Sequence, residues 1–272
     1  MFETRQVNLR IDRFIGWVVL SLVITGLIVV YSNDLSVISK LSIYKNSEFA
    51  VFMGQSLFDG HAVGASDYPI LVNLTLLLLG FLAVFLRRLP SSLILYAKYC
   101  VVTNLIFGAV IVHGIKFVVG RVRPYIVVKE PSLFTNFASF GDYVPFIDSY
   151  SGSLPSGHTA AVLSFLPIVL CFLYARNTRT AVTKTVVMLC LVGLTLAMAT
   201  GRVMSLDHFA SDCLISMFLG WFFHLFTFYI YFSMPVRIEN GITVLGKKKV
   251  LGLLLVAFLV PIGLYTARYL LS

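Results

Sequence analysis

Three short stretches carry residue types from which an anion site can be built. The first runs from Lys116 through Gly120, Arg121 and Val122 to Arg123 and Pro124. The second is Pro155, Ser156, Gly157 and His158, and the third runs from Arg202 through His208 to Asp212. Pro155 to His158 lies where a polar and aromatic stretch gives way to an apolar run, so it is expected to open a helix. The first amides of a helix lack intrahelical partners and the macrodipole places partial positive charge there. Gly157 lets a bulky anion approach the backbone closely. Lys116, Arg123 and Arg202 are expected at or near helix C-termini, and His158 and His208 at helix N-termini. Three cations and two helix starts around one cavity favour a multiply anionic ligand, and phosphate fits best.

The same stretches supply proton chemistry. His208 and Asp212 are four residues apart and are expected on one face of a helix. A carboxylate there accepts from one ring nitrogen and leaves the other as an oriented nucleophile or base. His158, from another helix, is then placed to protonate the departing oxygen. A covalent phosphohistidine intermediate needs no metal, and no carboxylate cluster in the sequence would hold one. No cofactor is expected.

These residues need elements to position them, and the composition says which. The chain of 272 residues is 58% hydrophobic and only 12% charged, whereas a soluble domain has about a quarter charged residues. The reading is an all-α, polytopic transmembrane helical bundle forming a single domain over residues 1–272. Spans are expected at 14–31, 70–86, 92–119, 156–174, 208–232 and 250–269, with a further span, the fifth, centred on 186–199. The net charge of +9 does not indicate nucleic acid, because the basic residues lie in short clusters between apolar runs. Arg87-Arg88, Arg176, Arg179, Lys184, Arg237 and Lys247 to Lys249 all fall on one side, as the positive-inside rule expects. That places the N-terminus inside and the three motif-bearing ends outside. Cys100, Cys171, Cys190 and Cys213 all lie in apolar segments and read as small buried hydrophobes.

The spacing Lys-x6-Arg-Pro, then Pro-Ser-Gly-His, then Arg-x5-His-x3-Asp resembles the type 2 phosphatidic acid phosphatase superfamily of integral membrane lipid phosphatases. It also matches the spacing shared with vanadium haloperoxidases. The resemblance covers roughly residues 92–232, with the three motifs in order. It implies a six-helix core, with the phosphatase part over about 70–232 and the N-terminal span at 14–31 as the sixth helix, to which the span at 250–269 is an addition. By that similarity Lys116, Arg123 and Arg202 bind phosphate, supported by the Ser156 hydroxyl and the Gly157 amide. His208 is then the nucleophile, Asp212 its partner and His158 the general acid. One departure stands out: the third motif usually opens Ser-Arg, and here it reads Gly201-Arg202, which removes one possible phosphate contact.

The resemblance implies a metal-independent phosphatase acting on a membrane lipid at the outer face. The candidates are undecaprenyl pyrophosphate, lipid A, phosphatidylglycerol phosphate and phosphatidic acid. The expected setting is a bacterial inner membrane with the site facing the periplasm. The expected partners are the phosphorylated lipid and the bilayer, with no nucleic acid and no obligatory protein. The alternatives are a non-catalytic lipid-binding or lipid-transport protein on the same fold and, disfavoured because those relatives are soluble, a vanadate-dependent oxidase. Arg121 is expected to meet lipid headgroups rather than join the clamp, and Asp207 to point away from the site. His113 reads as a satisfied interhelical histidine and His224 as a packing hydrogen bond. The aromatic residues over 125–154 fit either a lid or an interfacial belt.

Overall fold

The computed structural model describes residues 2–31, 33–53, 59–60, 64–65, 91–140, 152–175, 181–242 and 245–271. The architecture is an all-α polytopic bundle, apart from a two-residue antiparallel pairing of Asp59–Gly60 with Gly64–Ala65. Among the described residues five helices are long and apolar enough to cross a membrane, or six if a bent pair near the N-terminus counts as one span. The expected span at 70–86 lies outside the described residues.

Helix α1 (Phe2–Val30) is followed by α2 (Asp34–Leu41), which turns away at 92°. Helix α3 (Ser91–Leu105) runs through a π-helical stretch at Ile106–Val112 into α4 (His113–Val119). Helices α5 (Gly157–Leu163) and α6 (Leu166–Ala175) form one span, broken at Ser164-Phe165 just before Pro167. Proline lacks the amide that would continue the ladder. Helices α7 (Ala181–Met204) and α8 (Ala210–Leu225) follow, with a π-helical extension at Phe226–Tyr231. The last helix, α9 (Lys247–Leu271), supplies the expected extra span.

In a bilayer, helices associate through close packing and polar contacts rather than through water exclusion. Two close approaches fix the frame around the motifs. A Cβ on Gly220 of α8 would fall 2.5 Å from Leu163 Cδ1 of α5, and one on Gly114 of α4 would fall 2.5 Å from Pro261 Cγ of α9. Polar cross-links add to this: Asn104 Nδ2 donates to the Ser164 carbonyl at 3.0 Å, and the Tyr99 hydroxyl meets Thr227 Oγ1 at 3.2 Å. Arg268 of α9 donates to the Val118 carbonyl at 2.7 Å, at the C-terminal end of α4. That is where a cation complements the macrodipole.

Three expectations about single residues change. Cys190 is exposed on the outside of α7, while the other three cysteines are buried. His113 is also exposed on α4 rather than packed between helices. His224 is buried, but its ring lies edge-on to Phe107 and Phe223 and has no hydrogen-bond partner among the described residues.

Candidate active site

The first motif is built by the end of a helix. Lys116 sits buried in the last turn of α4, and Gly120 ends that helix in the left-handed conformation at φ 61°. Glycine takes this conformation without a Cβ penalty. The chain then leaves the helix axis through Arg121 to Arg123, and Pro124 opens a short helix at Pro124–Val127. The Lys116 ammonium hangs over the next motif: a Cβ on Gly157 would lie 3.7 Å from its Nζ.

The second motif is a capped helix start. Ser156 is the N-cap of α5, and its hydroxyl accepts from the Thr159 amide at 3.5 Å and the Thr159 hydroxyl at 3.1 Å. Its own amide donates to the Asp212 carbonyl at 3.2 Å. Ser216 Oγ bridges the Ser156 and Asp212 carbonyls, at 2.9 Å each, and so holds α8 to the start of α5. His158 is buried in the first turn, beside Gly157. Upstream, the Ser153 amide donates to the Arg121 carbonyl at 2.7 Å. The approach is so close that a Cβ on Gly152 would fall 2.9 Å from Arg121 N and 3.1 Å from Arg121 O.

The third motif differs from a plain helix start. Arg202 lies in the last turn of α7, which ends at Met204. The chain then turns through Leu206, at φ 64°, whose carbonyl accepts from the Tyr125 amide at 3.0 Å. Asp207 and His208 both direct their amides to the Arg202 carbonyl, at 3.2 and 3.3 Å. Helix α8 begins only at Ala210, so His208 precedes the helix rather than opening it. The cause is Asp212: its Oδ2 accepts from the Phe209 amide at 2.8 Å and so satisfies a helix-start donor. Asp212 Oδ2 remains 3.7 Å from His208 Nδ1, but the closer partner of that nitrogen is the Ser153 carbonyl at 2.7 Å. A carbonyl only accepts, so the ring proton is assigned to Nδ1 and the lone pair to Nε2.

An arginine and a carboxylate that the sequence placed elsewhere, with a second carboxylate that it did not single out, are part of this site. Arg121 is fully buried and faces no headgroup. Its Nη1 donates to Asp212 Oδ1 at 2.6 Å and to Ser211 Oγ at 2.7 Å, its Nη2 to Asp34 Oδ2 at 3.0 Å and its Nε to the Thr135 carbonyl at 2.9 Å. The guanidinium lies over the Phe209 ring, 4.0 Å from its centre, with Phe134 on another side at 5.8 Å. Asp34, from α2, also accepts from the Ser211 amide at 3.1 Å and from its hydroxyl. Asp207 does not point away: its carboxylate faces Arg202 at 3.3 Å and Arg123 at 3.8 Å. Phe134 of the aromatic stretch therefore packs inward on Phe209, and Phe137 packs on Tyr31. Residues 141–151 lie outside the described residues.

The fold thus links Lys116 to Gly157, Ser156 to Asp212, and Arg202 to His208, and joins Arg123 to Arg202 through Asp207. Burial, and then the charges of Arg202, Lys116 and Arg123, push the His208 imidazole well below its ordinary range, against the opposing pull of Asp207. A neutral imidazole with Nδ1 held and its lone pair on Nε2, among three cations, can act as a nucleophile or base toward a bound oxyanion. Among the described residues no group of three His, Cys, Asp or Glu side chains is placed to hold a metal ion.

A family model described as the PAP2 superfamily matches residues 97–234, which include all three motifs. No curated protein and no solved structure matches the chain.

Proposed function

Because the chain belongs to the PAP2 superfamily, whose members are generally phosphatases, we propose that it hydrolyses a phosphomonoester or pyrophosphate of a membrane lipid through a phosphohistidine intermediate. The observation that carries this reading is the 2.7 Å bond from His208 Nδ1 to the Ser153 carbonyl, made beside Lys116, Arg123 and Arg202. In the proposed reaction the three cations hold the non-bridging oxygens. His208 Nε2 attacks phosphorus in line, and the bond to the lipid oxygen breaks. His158 gives that oxygen a proton. It then takes a proton from the water that attacks the phosphohistidine, which releases inorganic phosphate and restores His208. Asp212 and the Ser153 carbonyl keep Nδ1 protonated and support the imidazolium that develops.

The three motifs are joined at one end of the bundle, and by the positive-inside rule the sequence expects the Arg/Lys clusters between spans on the opposite side. That expected distribution supports a site on the outer face, and the compact chain with short loops fits a bacterial inner membrane with the site toward the periplasm. Undecaprenyl pyrophosphate, lipid A, phosphatidylglycerol phosphate and phosphatidic acid all present a terminal phosphate to the same clamp. The deciding experiment is phosphate release from these four lipids in detergent with chelator present, wild type beside His208→Ala. Chelator-resistant release that is lost in the variant is the expected result, and the lipid turned over fastest names the substrate. Equal silence from both folded proteins on every lipid would sink the phosphatase reading in favour of lipid binding or transport.

A further inference from the structure

We propose that Asp207 is a built-in competitor for the phosphate clamp: its carboxylate bridges Arg123 and Arg202 when no phosphate is bound, and it makes the site select doubly charged terminal phosphates over singly charged phosphodiesters. This rests on the reading of Lys116, Arg123 and Arg202 as a phosphate clamp. It adds a residue that the motif pattern does not contain.

The carboxylate is aimed by backbone and side chain together. The left-handed turn at Leu206 and the hydrogen bond from the Asp207 amide to the Arg202 carbonyl swing residue 207 back over α7. Ser205 Oγ then donates to Asp207 Oδ2 at 2.6 Å. Against this firm anchor, the contacts to the arginines are loose. Arg202 Nη2 lies 3.3 Å away and Arg123 Nη1 3.8 Å, beyond the roughly 2.7–2.9 Å of a good charge-assisted bond. Arg123 Nε is buried and has no hydrogen-bond partner among the described residues, so that guanidinium keeps donor capacity which Asp207 does not use. The position also permits exchange. The Asp207 and Arg123 side chains are 22% and 20% exposed, whereas that of Arg202 is 4% exposed. The carboxylate therefore sits on the open side of the clamp, with water to receive it.

The charges decide which ligands prevail. An empty clamp holds like charges together, and one carboxylate relieves them. A terminal phosphate brings two negative charges and three acceptor oxygens, and so displaces a single carboxylate at a net gain. A phosphodiester brings one charge and two free oxygens, so it gains nothing over Asp207 and meets repulsion if the carboxylate stays. The same competition limits how firmly the inorganic phosphate product is retained. Removing it should tighten phosphate binding on the order of ten-fold, which corresponds to about 1.4 kcal/mol.

The test measures ligand binding to the purified full chain from ligand-dependent shifts in thermal midpoint, with no need for turnover. The probes are inorganic phosphate and dimethyl phosphate, a singly charged diester. Asp207→Asn should bind inorganic phosphate about ten-fold tighter than wild type and should acquire affinity for dimethyl phosphate. Asp207→Glu should restore the wild-type preference, and Asp207→Ser serves if the Asn variant fails to fold. Arg202→Gln should weaken phosphate binding in every background. Weakened binding in Arg202→Gln with no tightening in Asp207→Asn or Asp207→Ser would overturn the role of Asp207 and leave the clamp standing. No phosphate binding by any variant, with no release from lipids, would overturn the clamp itself.

Discussion

His208 sits in an environment that suits a nucleophile and opposes a cation. Burial and the charges of Arg202, Lys116 and Arg123 disfavour its protonated form. A histidine that must be neutral to attack loses activity as it is protonated, so the acidic limb of kcat/KM belonging to His208 should lie below the usual histidine value of about 6.5. Removing a cation relieves the effect, so Arg202→Gln should move that limb to higher pH, alongside the rise in KM expected from a weaker clamp. A pH profile of kcat/KM for both proteins checks this, and an unmoved limb would show that Arg202 does not act on His208. At this scale the sequence named candidate residues for the chemistry but not their partners. Asp207 reads as pointing away only on a helix that starts at His208. The real chain leaves α7 after Met204 and takes φ 64° at Leu206, which aims Asp207 into the clamp. Nothing local signals that turn, because Leu206 is neither glycine nor asparagine.

The elements that hold the site are short and irregular, while the long helices act as their frame. Residues 152–156 make no regular structure of their own, yet they deliver the Ser153 carbonyl to His208 and the Ser156 cap to α5. Their position depends on backbone lying on backbone at Gly152 and Arg121, where neither side can yield. Gly152→Ala should therefore push the Ser153 carbonyl off His208 Nδ1. Displacements near 1 Å in a catalytic group cost roughly 100-fold, and a loss of that order in kcat is expected. Gly246→Ala is the matched control, since a Cβ there meets nothing within 4 Å. Turnover by the two variants, measured beside their thermal midpoints, separates a lost alignment from a lost fold. An unaffected Gly152→Ala would mean that the Ser153 carbonyl does not orient the nucleophile. Within the described residues the spans over 93–127, 157–174, 181–204, 210–231 and 247–270 were legible because apolar length is a strong local signal. The helix starts were less so, since the Asp212 carboxylate moves the beginning of α8 to Ala210 by capping the Phe209 amide.

Across the whole molecule, the site reaches beyond the stretch that defines the family. Residues 97–234 match the family model, yet Asp34 enters from the N-terminal side to share Arg121 and Ser211 with Asp212, and Arg268 enters from the C-terminal side to hold the end of the Lys116 helix. The sequence alone could not show that Arg121 is buried, because its carboxylates lie 87 and 91 residues away. The triad of one arginine and two carboxylates allows the sign of each loss to be argued. Arg121→Met leaves two buried carboxylates with no cation between them, and an uncompensated buried charge costs roughly 3–5 kcal/mol. Asp34→Ala leaves a neutral Arg121–Asp212 pair and removes an acceptor from the Ser211 amide, so roughly 1–3 kcal/mol is expected. The thermal midpoint should therefore fall further for Arg121→Met than for Asp34→Ala. Combining the two removes one of the stranded charges, so the double variant should be no less stable than Arg121→Met alone. Strictly additive losses in that cycle would mean that Asp34 and Arg121 contribute independently, and that the N-terminal segment does not form one electrostatic unit with the catalytic turn.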